Sequence, residues 1–77
     1  MVFSPINQIK ELPMPKLKKL PEVRAITSLS RPHIYALIQK GEFPKPVKLS
    51  ERSSAWVESE VQDWIDKKIA ERDQEAA

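Results

Sequence analysis

The side chains best suited to chemistry lie in a short segment between residues 30 and 40. The guanidinium of Arg31 can donate two parallel hydrogen bonds to guanine, and the amide of Gln39 can pair with adenine in a similar way. Tyr35 can contact a phosphate or a thymine methyl group. Each has a plainer interpretation as well: a phosphate contact or an idle surface arginine, a solvated glutamine, and a tyrosine packed on a neighbouring element. The candidate recognition surface consists of Ser30, Arg31, Pro32, His33, Tyr35, Gln39 and Lys40.

A second set of cations lies where the sequence has the pattern of a strand. Two prolines exclude a helix there, and Val47 and Leu49 alternate with Lys48, which is the period of a half-buried strand. Residues 55–57 can pair back as a second strand. The pattern predicts a two-stranded wing over residues 44–57, with its cations on one face. The side chains that we expect to face phosphates are Lys45, Lys48, Arg52 and Ser53.

Two short helices would position the recognition surface. Pro21 fits the first turn of a helix, and about two turns fit before Ser28. Ser30 can cap a second helix with its hydroxyl, and Gly41 can end that helix in the left-handed conformation. Two short helices joined by so tight a turn form a helix-turn-helix unit. The second helix of such a unit lies in the major groove of DNA.

A third helix is predicted to begin near Ser59, because Ser59 and Gln62 have the spacing of a capping box. Apolar residues recur at helical spacing in all three helices, and a chain this small needs its tryptophans for burial. The residues predicted to pack together are Leu20, Val23, Ile26, Leu29, Ile34, Leu37, Ile38, Trp56, Val61, Trp64, Ile65 and Ile69.

The composition narrows the classes of function. The chain has 77 residues, no cysteine and one histidine, which excludes disulfides and thiolate zinc sites and predicts one small domain. Residues 1–57 hold ten lysines and arginines against four acids, whereas residues 58–77 hold three against seven. This asymmetry indicates a body that faces a polyanion and an acidic tail that faces elsewhere. Three lysines near the start of the body either track phosphate or serve only solubility: Lys16, Lys18 and Lys19.

The AlpA family of prophage regulators resembles this chain in two unusual runs, at residues 43–49 (Phe-Pro-Lys-Pro-Val-Lys-Leu) and 56–61 (Trp-Val-Glu-Ser-Glu-Val). The runs Leu-Pro-Glu-Val at 20–23 and Leu-Ser-Arg at 29–31 precede them in the family's order, and the resemblance covers residues 16–73. It implies a small DNA-binding protein with the MerR-like winged fold that phage excisionases share. Some members activate transcription, often of an integrase gene, and others bend DNA at attachment sites.

The residues and the resemblance together predict a mainly α chain with a small β-hairpin wing. Three helices form a winged helix-turn-helix domain over residues 16–73, between a flexible arm (1–15) and a frayed tail (74–77). The expected function is sequence-specific DNA binding that regulates transcription of a prophage or integrative element. One alternative is an excisionase, a recombination directionality factor that bends attachment-site DNA. Another is a protein-interaction module that acts through the acidic third helix.

We expect neither an enzyme nor a bound cofactor or metal. The chain lacks a paired nucleophile and base, a glycine-rich phosphate loop and a cluster of metal ligands. The expected partner is double-stranded DNA, with self-association on DNA and contacts to an integrase or RNA polymerase as further possibilities. The sequence contains no run of about 18 apolar residues, so we expect no membrane span. The expected location is the cytoplasm, in association with the nucleoid.

Overall fold

A computed structural model describes residues 15–76 of the chain and gives three helices and a small antiparallel sheet. In chain order the elements are β1 (Leu17–Lys18), α1 (Leu20–Thr27), α2 (Arg31–Gln39), β2 (Val47–Ser50), β3 (Ser53–Val57) and α3 (Glu58–Ala76). This mainly α architecture with a hairpin after the second helix is a winged helix-turn-helix, which confirms the predicted fold class. Fourteen of the fifteen residues of the predicted flexible arm (1–14) lie outside the described part of the chain.

Helix α1 has the predicted length of two turns but begins one residue earlier, at Leu20. The backbone N–H of Lys19 donates to the Glu22 carboxylate at 3.2 Å, which satisfies one of the unpaired amides at the helix start. The helix ends at Ser28, whose φ of 64° is left-handed and whose N–H donates to the carbonyl of Arg24 at 2.7 Å. This abrupt end leaves only a three-residue turn before α2, as a helix-turn-helix requires.

Helix α2 begins and ends as its sequence predicts. The hydroxyl of Ser30 accepts a hydrogen bond from the backbone N–H of His33 at 3.3 Å, which is N-capping. At the other end Gly41 has a φ of 74°. The N–H of Gly41 donates to the Ile38 carbonyl and that of Glu42 to the Leu37 carbonyl. Both bonds belong to the Schellman motif, which favours glycine at its left-handed position.

The sheet has the strand order β1-β3-β2, and β3 pairs antiparallel with both neighbours. Strand β1 was not predicted from the sequence. It pairs Leu17 with Val57 and Lys18 with Trp56, and the carbonyl of Lys16 accepts from the N–H of Glu58 at 2.7 Å. The residues before α1 are thereby fixed to the central strand.

The wing is formed by β2 and β3, with residues 51 and 52 as the turn and an irregularity between Lys48 and Ser50. The alternation predicts that Val47 and Leu49 lie on a covered strand face, but all four residues of β2 are exposed, Val47 to 40% and Leu49 to 48%. Helices α1 and α3 pack against β3, whereas β2 is an edge strand. Period-2 alternation identifies a strand, but it does not ensure that another element covers it.

The core lies where the three helices meet the central strand. Its buried members are Val23, Ile34, Phe43, Trp56 and Val61. Trp56 is only 1% exposed, as predicted, whereas Trp64 is partly buried and packs against this cluster. Ile26 and Ile69 are each 44% exposed, so they lie at the margin of the core rather than inside it. They lie with Trp64 and Ile65 along a shallow groove between α1 and α3.

Both indole N–H groups bond to the backbone that connects α2 to the wing. Trp56 donates to the carbonyl of Pro44 at 3.0 Å, and Trp64 donates to the carbonyl of Glu42 at 2.7 Å. Phe43 lies between these acceptors and meets the Trp64 ring edge-on, with 4.9 Å between ring centroids. These contacts determine where the wing begins relative to α2.

The predicted capping box of α3 is wrong. The helix begins at Glu58, directly after β3, so Ser59 lies inside the first turn. The side chain of Gln62 instead donates to the carboxylate of Asp66 at 3.0 Å. Because the carbonyl of Lys16, just before β1, accepts from the N–H of Glu58, this backbone contact supplies what a capping side chain would have supplied. The helix continues through Ala76, and the domain limits at residues 16 and 73 stay predictions.

Candidate nucleic-acid interface

Helix α2 exposes most of the candidate recognition surface. Its inward side carries Ile34, which is fully buried, with Leu37 and Ile38 partly buried beside it. The side chains that remain exposed are Ser30, Arg31, Pro32, His33, Tyr35, Gln39 and Lys40. The buried side chains therefore fix the rotation of the helix and turn its polar side outward. An α-helix with such a side fits the major groove, which is about 12 Å wide.

Three side chains form a stack at the start of α2. The guanidinium carbon of Arg31 lies 5.5 Å from the centroid of the Tyr35 ring, within the range of a cation–π contact. The Tyr35 ring in turn meets the ring of Trp56 edge-on, with 6.1 Å between centroids and 64° between planes. Tyr35 is 37% exposed and Trp56 is 1% exposed, so the stack leads from the surface into the core.

The wing places its cations at different positions rather than along one strand face. Lys48 lies in β2 opposite Ser54, and it therefore shares the sheet face of Trp56, the strand residue that Tyr35 of α2 contacts. Arg52 lies in the turn. Lys45 precedes β2 and lines a groove beside α3. Among these three cations, Lys48 alone lies in a strand, so a shared strand face cannot include Lys45 and Arg52.

The three lysines near β1 have separate environments. The ammonium group of Lys18 lies 3.8 Å from the Glu22 carboxylate and 3.5 Å from that of Glu58. Lys19 instead donates to the hydroxyl of Ser53 at 2.9 Å, which ties the start of α1 to the wing. Lys16 is exposed. Of these three lysines, Lys16 and Lys19 form no ion pair with a described acid. The contact between Lys18 and Glu58 depends on the pairing of β1 with β3, and β1 is too short to be recognised in the sequence.

The cations of α2 and the wing lack acidic partners within residues 15–76. The ion pairs there involve Lys18, Lys68 and Arg72, which bond to Glu22 and Glu58, to Glu71, and to Asp73, respectively. The exposed cations without such a pair on α2, the loop after it and the wing are Arg31, Lys40, Lys45, Lys48 and Arg52. This surface has charge available for an external anion, as binding to a phosphate backbone requires.

Helix α3 has the opposite electrostatic character. It carries exposed acids along most of its length: Glu60, Asp63, Asp66, Glu71, Asp73 and Glu75. Two of its three cations, Lys68 and Arg72, pair with acids of the same helix. DNA would therefore be repelled by much of this surface.

No helix in the described part of the chain is both long and apolar enough to cross a bilayer.

Two comparisons show which known proteins this chain resembles. Residues 16–69 match the family model described as Prophage CP4-57 regulatory protein (AlpA). A relative from Enterobacteria phage P4, described as uncharacterized protein ORF88, is 39% identical over 69 residues. That alignment covers 90% of this chain and 78% of the phage protein. The matched family segment contains the helix-turn-helix, the wing and most of α3.

Proposed function

The chain belongs to the AlpA family of prophage regulatory proteins, and we propose that it acts by binding double-stranded DNA in a sequence-specific manner to regulate transcription of a prophage or integrative element. Helix α2 enters the major groove, and the wing contacts the adjacent backbone. The observation that carries this proposal is the set of exposed cations on α2 and the wing that pair with none of the described acids. DNA bound in this way places the protein at the nucleoid.

The proposal assigns different tasks to the two parts of the surface. Lys48 and Arg52 of the wing contact phosphates, which supply affinity but carry no sequence information. Arg31, in the first turn of α2, reads a base edge, because the N-terminal residues of a recognition helix lie nearest the bases. Lys19 supports the wing through its hydrogen bond to Ser53. Affinity falls steeply with salt, because each phosphate contact releases counterions.

Fluorescence anisotropy with the full chain tests this proposal. The probes are DNA flanking the chain's own gene and a scrambled duplex of equal length, each titrated across a salt series. We expect both to show a steep salt slope and the flanking fragment to bind tighter by about 10³ or more. Weak and equal binding to both would contradict sequence-specific recognition and leave only an electrostatic surface.

A regulator and an excisionase would use the same DNA-binding surface, so other assays must separate them. We propose transcriptional regulation because the matched family is described as regulatory. A promoter reporter, run beside an excision assay with the element's integrase, compares the two roles directly. Loss of reporter control with normal excision in the Arg31→Ala variant supports regulation. The reverse pattern supports the excisionase role.

A single copy reads few base pairs, so we further propose that several copies bind repeated sites and bend the DNA. Gel-shift titration on a fragment with several sites should show stepwise complexes and anomalous mobility. One protein per fragment without a bend would contradict this part of the proposal.

The acidic surface of α3 favours a second candidate function, in which the chain works mainly as a protein-interaction module. Its exposed carboxylates suit a basic surface on an integrase, RNA polymerase or a neighbouring copy. In that case, removal of the charges of Arg31 and Lys48 leaves regulation intact. The DNA-binding proposal expects the same double variant to abolish it.

A further inference from the structure

The stack at the start of α2 gives Tyr35 a role that its exposed ring alone does not suggest. Arg31 and Tyr35 are four residues apart on one helix, the spacing at which side chains meet. The guanidinium lies 5.5 Å from the Tyr35 ring centroid. The same ring also meets Trp56 edge-on, at 6.1 Å between centroids, and Trp56 is 1% exposed. The tyrosine is thus held by the core and offers its face to the arginine.

The stack also reaches the base of the wing. The indole N–H of Trp56 donates to the carbonyl of Pro44 at 3.0 Å, just before β2 begins. Along the edge of β3 that faces β1, the pairing of Trp56 with Lys18 fixes the register of the two strands. Trp56 therefore has little freedom to move, and the Tyr35 ring that packs on it has a fixed location relative to both α2 and the wing.

A free arginine side chain must lose its rotamer freedom when it binds, and this loss weakens affinity. The arginine of this stack is partly ordered before any ligand arrives. No described acid pairs with Arg31, so its donors stay available while its guanidinium is held. Such an arrangement favours a contact of fixed geometry, as bidentate recognition by arginine requires.

We propose that Tyr35 is a positioning residue: its ring, held by Trp56, orients Arg31 for base recognition, and its hydroxyl is dispensable. This inference rests on the proposed function, since the benefit of the orientation is realised on DNA. It differs from the expectation that Tyr35 itself contacts phosphate or a thymine methyl group, because that contact would not depend on Arg31.

A double-mutant cycle on the full chain tests the positioning role. Tyr35→Leu keeps an apolar side chain over Trp56 but removes the aromatic face, and Tyr35→Phe keeps the face without the hydroxyl. We expect Tyr35→Leu to weaken binding to the flanking DNA about 2- to 5-fold, the range of an exposed cation–π contact. In the Arg31→Ala background the same change should have almost no effect. Tyr35→Phe should bind like the wild type.

Two results would overturn the proposal. An equal loss from Tyr35→Leu with and without Arg31 would show that the tyrosine acts independently. A loss from Tyr35→Phe as large as that from Tyr35→Leu would show that the hydroxyl contacts DNA. Gln39→Ala is the matched control, because this residue is exposed one turn further along α2. Its effect should be the same in both Arg31 backgrounds.

A measurement without DNA separates this inference from the proposed function. Protons of the Arg31 side chain that lie over the Tyr35 ring should show an upfield ring-current shift in NMR spectra of the free protein. The shift should persist in Tyr35→Phe and vanish in Tyr35→Leu. Its absence from the wild type would overturn the positioning role whatever the DNA experiments show. A normal shift with no discrimination between duplexes would contradict the proposed function and leave the orientation of Arg31 established.

Discussion

Two groups of cations in this small chain have contrasting surroundings. On β1 and α3, Lys18, Lys68 and Arg72 each lie within 4 Å of a carboxylate. On α2 and the wing, Arg31, Lys48 and Arg52 form no ion pair with any acid in residues 15–76. The two groups belong to the same domain and are almost all exposed. They differ in whether the chain supplies its own counter-charge.

This difference indicates which cations are available for binding. A lysine or arginine beside a carboxylate has a negative charge next to it that also repels phosphate, so it gains less when a polyanion binds. Unpaired cations instead repel one another in the free protein and gain when a polyanion neutralises them. A net charge of only +2 hides this division, because the acids lie mainly on α3.

The largest effect is expected in the core that holds both regions in place. Trp56→Ala removes a buried ring, its contact with Tyr35 and its hydrogen bond to Pro44. The expected loss is about 3–5 kcal/mol, which equals the usual net stability of so small a domain, roughly 3–5 kcal/mol. Circular dichroism should therefore show an unfolded chain at 25 °C.

Trp64→Ala is the control for this prediction, because Trp64 also donates to the backbone before the wing but is only partly buried. We expect that variant to remain folded with a lower melting temperature. A Trp56→Ala protein that unfolds cooperatively near the wild-type temperature would show that the two regions do not share this core.

The next largest effect is expected on base discrimination, when an unpaired cation of α2 is removed. Arg31→Ala should cost about 1–3 kcal/mol of preference for the cognate site, the value of one bidentate base contact. The measurement is the ratio of dissociation constants for cognate and scrambled duplexes. Arg24→Ala removes an exposed arginine from α1 and should leave that ratio unchanged. If Arg31→Ala instead lowers affinity for the two duplexes equally, Arg31 contacts only phosphate.

The smallest effect is expected for a cation on the paired side. Lys18→Gln breaks the ion pairs with Glu22 and Glu58, and we expect it to lower stability by at most about 1 kcal/mol. Its affinity for DNA should stay close to that of the wild type, because the lost charge was already neutralised. Thermal unfolding and anisotropy on the same samples check both expectations. A clear loss of affinity would show that this lysine leaves its carboxylates to bind DNA.

Local features of this fold were predictable from the sequence. The cap at Ser30 and the left-handed end at Gly41 depend on neighbouring residues only, and both were found as predicted. The i, i+4 spacing of Arg31 and Tyr35 was also visible, although its meaning was not. That meaning depends on Trp56, which is distant in sequence and reaches Tyr35 only through the fold.

Features that depend on distant pairing were missed or misjudged. Strand β1 has two residues, which is too short for a recognisable period, and it exists because β3 pairs with it. The capping box at Ser59 was wrong because β3 leads directly into α3. Val47 and Leu49 have strand alternation, but no described helix covers the edge strand β2. The assignment of particular residues to DNA contacts stays a prediction.

The salt dependence of DNA binding by two matched double variants distinguishes the unpaired wing cations from the paired cations of α3. Lys48→Gln with Arg52→Gln removes two unpaired wing cations, and Lys68→Gln with Arg72→Gln removes two paired α3 cations, so the net charge changes equally. We expect the slope of log K against log salt to become shallower by about 2 for the wing variant, at about 0.9 per phosphate contact. The α3 variant should keep the wild-type slope. Equal slopes for the two variants would show that pairing with a carboxylate does not decide which cations bind DNA.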